Sequence, residues 1–169
     1  MGQSRAETAP KESRFVLHRF NGDEVYCFEK AILRAYSTER GVALWFEVSA
    51  DANAIRRCED TAEMGRSPSA EVGIDLPELD ANQLVGREFV IPGTQSDDED
   101  SCNSLLYYCA HEALRENHIT VLSQTGDRFW LRWTAVVSDV NYYDGSKPPT
   151  KVEIEGEFTF RDIDKWVRA

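Results

Sequence analysis

Little in this chain would staple, anchor or catalyse. Cysteine is sparse, at Cys27, Cys58, Cys102 and Cys109. No two of these are spaced C-x-x-C, so neither a zinc ribbon nor a thioredoxin-type redox site has support. No apolar run is long enough to span a bilayer. The opening MGQSRAETAPKES has no apolar segment of the kind a secretory leader needs. It resembles a myristoylation signal only as far as Ala6, where serine or threonine is required. These absences predict a cytoplasmic protein with reduced thiols, its cysteines used as small core residues.

Positive charge is also scarce. Nineteen Lys and Arg stand against thirty Asp and Glu, a net charge of −11. A duplex binder needs a basic stripe to displace counterions from phosphates, so the balance argues against nucleic acid. It argues equally against anionic lipid, and it would steer the protein toward a basic partner. No nucleophile elbow, phosphate-cradling glycine loop or dinucleotide fingerprint occurs.

What the chain does have is alternation. Residues 1–13 carry no apolar periodicity and read as a disordered tail, leaving 14–169 as a single β domain. Arg14–Phe20 leads into Asn21-Gly22, a hairpin dipeptide, and a return strand is expected from near Glu24 to about Tyr36. In the next strand Val42, Leu44, Phe46 and Val48 alternate with Ala43, Trp45, Glu47 and Ser49, the period-two pattern of a half-buried strand. Residues 50–68 are polar and broken by Gly65 and Pro68, which predicts a long loop with one helical turn. Short strands follow at 70–76 and 87–91.

Farther along, Gly126-Asp127 turns into a strand whose inner face holds Phe129, Leu131, Trp133, Ala135 and Val137. A last strand sets Val152, Ile154, Phe158 and Phe160 against Lys151, Glu153, Glu155 and Glu157. Residues 104–115, SLLYYCAHEALR, divide the signals. Their apolar stripe has helical spacing, whereas Tyr107-Tyr108 and the flanking strands favour a strand. The reading is a mainly β fold of about seven to nine strands, an antiparallel β-sandwich or partly closed barrel. At most two short helices are admitted, one over 102–116 and a C-terminal turn over 162–168.

Residues 95–101, QSDDEDS, place Asp97, Asp98, Glu99 and Asp100 in a row. Calcium takes about six to eight converging oxygens. Counted from Asp97, the EF-hand glycine and bidentate glutamate positions hold Cys102 and Tyr108, so that template fails. A divalent cation would have to be gathered by Asp97, Asp98 or Asp100 together with Asp139 and Asp144, from two loops at one end of the fold. The plainer reading is a solvated acidic loop, with no cofactor. His111-Glu112 lacks the second histidine of a zincin helix, Arg115 standing there instead. Cys102, Cys109, His111 and His118 match no zinc-knuckle spacing. Glu153, Glu155 and Glu157 lie roughly 6–7 Å apart along the outward side of a strand, where acids ordinarily face water.

The aromatic surface is more informative. Trp130 lies between Arg128 and Arg132 on the face opposite the core, and Trp45 also falls off the apolar side of its strand. Tryptophan beside arginine is the composition of interface hot spots. Tyr142 and Tyr143, in the loop NYYDGSKPP, add adaptable contact surface. The leading expectation is therefore a non-enzymatic domain that binds a basic protein partner, in the manner of an inhibitory or immunity protein. The contacts would be Trp130, Arg132, Arg128, Trp45, Tyr142 and Tyr143. Two alternatives stand beside it: a carrier holding an apolar ligand among Phe28, Phe46, Trp133 and Phe158, and a metal-dependent hydrolase built on the acidic loops.

Overall fold

Alternation of core and solvent positions does most of the folding here. In a computed structural model, which describes residues 12–93 and 103–164, the first hairpin pairs β1 (Arg14–Arg19) with β2 (Gly22–Tyr26). Phe15, Leu17 and Tyr26 turn inward and are buried. The return strand expected over 24–36 is in fact divided at Cys27, where β3 (Phe28–Thr38) begins. There follow β4 (Gly41–Ala50), β5 (Ser69–Leu76), β6 (Glu88–Ile91), β7 (Ser104–Tyr108), β8 (Ala110–Ala113), β9 (Arg115–Thr125), β10 (Arg128–Val137) and β11 (Thr150–Asp162). The long loop before β5 contains one 3₁₀ turn, Glu59–Thr61, and a second lies at Ala81–Gln83. Ile163 and Asp164 open a helical turn, and the rest of the expected 162–168 turn lies outside the described residues.

The strands form one curled mixed sheet, a half-barrel, rather than a two-sheet sandwich. Nine strands run in the order β6-β9-β10-β11-β3-β4-β5-β7-β8, and the β1–β2 hairpin branches from β11. The sheet is not purely antiparallel, because β11 pairs with β3 in parallel through Thr159–Asp162 and Ile32–Ala35. The cause is the division at Cys27. One edge of β11 takes β1 along its first half, from Arg14↔Glu155 to His18↔Lys151, and β3 along its second. The chain runs up beside β1 as β2, then slides directly against β11 as β3. Gly156 sits at that handover. A Cβ there would come within 2.5 Å of the Phe28 ring, so only glycine leaves room for the incoming strand.

Residues 104–113 settle as a hairpin of two strands. Ser104, Leu106 and Tyr108 point inward, β7 pairs with β5, and Cys109 takes a positive φ of 68° at the tip. The helix expected over 102–116 is thus replaced across 104–113, because an available sheet edge outweighs local helical spacing. Only Leu114 separates β8, at one end of the strand order, from β9, next to the other end.

The hollow of the curl is filled. Phe15, Phe46, Phe129, Trp133 and Phe158 are completely buried in one cluster, and Phe46 meets Phe89 from the far side at 5.5 Å between ring centres. Phe28 lies at the margin, edge-on to Phe158. A polar side chain, Asn117, is buried where the two ends of the strand order approach. The Asn117 amide donates to Ile91 O, Ser104 Oγ and Leu114 O at 2.9–3.2 Å and accepts from Trp133 Nε1 at 3.0 Å.

Candidate functional site

Two arrangements of polar residues stand out, one inside the fold and one on its outer face. The first begins with a breach of the alternation rule. Arg19 shares the inward side of β1 with Phe15 and Leu17, and Glu24 shares the inward side of β2 with Tyr26. Both side chains are wholly buried. Arg19 binds Asp139 through Nε and Nη2, each at 2.9 Å, and Asp60 through Nη1 and Nη2 at 2.9 and 2.8 Å. It also reaches Glu24 Oε1 and Val140 O at 2.9 Å. Glu24 accepts further from Thr61 Oγ1, and from the Tyr26 and Tyr108 hydroxyls at 2.6 and 3.0 Å. Thr150 Oγ1 donates to Asp139 at 2.5 Å.

The protonation of this cluster follows from its wiring. Burial by itself disfavours charge on Arg19, but its hydrogen bonds to Asp139, Asp60 and Glu24 outweigh it and raise the pKa well above the usual guanidinium value. Glu24 is likewise opposed by burial, yet the donors Thr61, Tyr26, Arg19 and Tyr108 hold its carboxyl below the ordinary range. Burial beside that carboxylate pushes the Tyr108 phenol up to about 12. The cluster ties the first hairpin, the 51–68 loop and the turn after β10 into one end of the barrel. Its groups are spent on each other. Glu24, Cys58 and Asp60 bring ligand atoms within 4.8 Å of one another, but a cation would have to displace Arg19 from two of them, and the Cys58 thiol already donates to Gly22 O.

The second arrangement is a groove of about 640 Å³ across the outer face of β2, β1, β11 and β10. Val16 and Val25 contribute apolar surface and Trp130 stands beside them. Around these, Glu12, Asp23, Glu153 and Glu155 face a single arginine, Arg14, together with His18. Trp130 is half-buried, its Nε1 donating to Glu155 Oε1 at 3.2 Å. Arg132 holds the other oxygen of Glu155 at 2.8 Å, and Arg128 pairs with Glu157 at 3.1 Å. His18 Nδ1 lies 2.9 Å from Asp23 and its Nε2 lies 3.5 Å from Glu153.

No family model, curated protein or solved structure matches this chain. Its function is therefore argued from the residues alone.

The structure gathers some of the expected contact residues and separates others. Arg128, Trp130 and Arg132 share the outer side of β10, although both arginines already hold glutamates of β11. Trp45 faces outward from β4 and lies across Gly73, its direct partner on β5. A Cβ on Gly73 would fall 2.5 Å from the indole, so this tryptophan covers a glycine and takes no part in the Trp130 groove. Tyr142 packs edge-on against Phe20 at 5.4 Å, with the Lys147 ammonium over both rings. Tyr143 is half-buried and donates to Tyr108 O at 2.9 Å.

Of the expected cation ligands, Asp97, Asp98 and Asp100 lie outside the described residues. Asp139 is turned inward onto Arg19, and exposed Asp144 accepts from the Ser146 amide of its own turn. Cys109 is exposed, His111 stacks on Tyr107, and His118 lies 3.5 Å from Glu88. The alternation pattern did not single out Arg19, Glu24, Asp60, His18 or Asp23, and it placed Glu153 among acids facing water. The signal for the first two was available: a charged residue in phase with the apolar face of each hairpin strand.

Proposed function

We propose that this chain is a non-enzymatic domain that binds a basic protein partner on the outer face of β10, β11, β1 and β2. The observation that carries the reading is the groove itself: a half-buried tryptophan and two valines ringed by four carboxylates and one arginine. An apolar anchor with acids at its rim suits a partner presenting lysine or arginine next to an apolar side chain. The net charge of −11 would hasten the encounter. The buried Arg19 cluster is supporting structure, since its polar atoms already satisfy one another. An inhibitory or immunity-type role, capping a basic enzyme or toxin, is one form such binding takes.

The test uses a nona-arginine peptide against an uncharged nona-glutamine control, followed by tryptophan fluorescence and calorimetry at pH 8. Nona-arginine is expected to bind, with affinity falling as salt rises. Trp130→Phe and Glu153→Gln should each weaken binding by at least about fivefold (roughly 1 kcal/mol). Glu39→Gln, which removes an exposed charge elsewhere, should not. Equal effects from all three variants would mean diffuse attraction to an acidic surface and would refute the groove.

A further inference from the structure

His18 gives the groove a more specific chemistry. Its Nδ1 is 2.9 Å from a carboxylate oxygen of Asp23. An ionised carboxylate only accepts, so Nδ1 carries the hydrogen. In the neutral ring Nε2 is then a bare lone pair, and Glu153 Oε2 lies 3.5 Å from it. Both groups are partly exposed, so in the free protein solvent can donate to this pair of acceptors. Two charged arrangements can replace that solvent. A proton on Nε2 makes an imidazolium that bridges Asp23 and Glu153, or a donor from outside enters between Nε2 and Glu153.

The charged groups around the ring do not supply that donor. Asp23 approaches from β2, and Glu153 and Lys151 from β11, while Arg14 lies on the outer side of β1 itself. Lys151 is directly opposite His18 in the ladder; it is exposed and forms no ion pair among the described residues. Arg14 pairs with Glu12 at 3.8 Å.

Resting on the reading of this groove as the docking surface, we propose that a lysine or arginine side chain of the partner seats between His18 Nε2 and Glu153 beside Trp130, in competition with a proton on His18. The competition makes docking a function of pH. Histidine is the side chain whose charge ordinarily changes between pH 5 and 8. At the upper end the acceptor pair is open and the groove carries its full negative charge. A proton on His18 would neutralise one carboxylate and occupy the place of the incoming cation.

The experiment measures nona-arginine binding at pH 8.0 and pH 5.5, at constant ionic strength, for the unaltered protein and for His18→Gln, Trp130→Phe and His118→Gln. Unfolding midpoints at both pH values confirm that each variant is folded. The unaltered protein and His118→Gln should bind about tenfold more weakly at pH 5.5 than at pH 8.0, within the limit that one competing proton sets. His18→Gln has no titratable ring, and should bind equally at both. Binding that depends on Trp130 but is independent of pH would overturn the proton competition and leave the docking surface standing. So would a pH dependence that survives in His18→Gln. Absence of any Trp130-dependent binding at pH 8.0 would overturn both.

Discussion

Replacing Arg19 by methionine tests the wiring of the barrel end directly. Methionine keeps the length and apolar volume of the arginine stem and deletes its charge. Two completely buried carboxylates, Glu24 and Asp139, lose their cation together, while Asp60, partly exposed, keeps solvent as an alternative. Breaking a buried ion pair from one side costs about 3–5 kcal/mol. The two losses do not simply double, because Glu24 keeps Thr61, Tyr26 and Tyr108 and Asp139 keeps Thr150. We therefore expect Arg19→Met to lose about 4–5 kcal/mol at pH 7, or roughly 8–20 °C in melting temperature for a domain of this size.

The pH dependence has a definite sign. Glu24 titrates below its unfolded value in the folded protein. Its contribution is therefore complete above the unfolded carboxylate pKa, near 4.3, and is lost as pH falls through the lower folded value. In Arg19→Met the orphaned acids take up protons more readily, so the cost of the substitution should shrink between pH 7 and pH 5. Urea unfolding followed by tryptophan fluorescence at both pH values reads this out. The triple variant Arg19→Met, Glu24→Gln, Asp139→Asn should recover part of the loss at pH 7. A cost under about 1 kcal/mol at pH 7, or one that grows on acidification, would refute the account.

Two further outcomes follow from particular contacts. Asn117→Ala orphans the Trp133 indole N–H and the Ile91 and Leu114 carbonyls, and should cost about 3–5 kcal/mol by chemical unfolding; Trp133→Phe should then cost less in that background than in the unaltered protein. Gly73→Ala drives a methyl into the Trp45 indole and should cost about 1–3 kcal/mol. The same change made together with Trp45→Leu should cost under about 1 kcal/mol, and equal costs in both backgrounds would count against the indole contact.

Local pattern made some of this fold legible and could not reach the rest. Each of Phe129, Leu131, Trp133, Ala135 and Val137 is buried as the alternation required, because a period of two leaves a pleated strand no other way to hide its apolar side. The parallel pairing of β3 with β11 was out of reach, since it depends on a strand more than 120 positions away and on Gly156 making room. The hairpin at 104–113 was ambiguous locally and was decided by β5. On the outer face, Trp130 and its arginines were visible in one strand. Their neighbours His18, Asp23 and Glu153 come from three other strands, and only pairing brings them alongside. Arg19 and Glu24 were visible in phase but went unread, because charge was assumed to face water.

The division of β11 between two partners also sets the order of events at the ribosome. The first hairpin shows an oily underside, Phe15, Leu17 and Tyr26, to a sheet whose adjoining strand is made last. The 141 positions between Arg14 and its partner Glu155 take roughly 7–28 s to synthesise at about 5–20 residues per second. For that interval the hairpin emerges with no strand to lie against. Until translation has passed β11, that oily underside has no native strand beside it to complete its sheet.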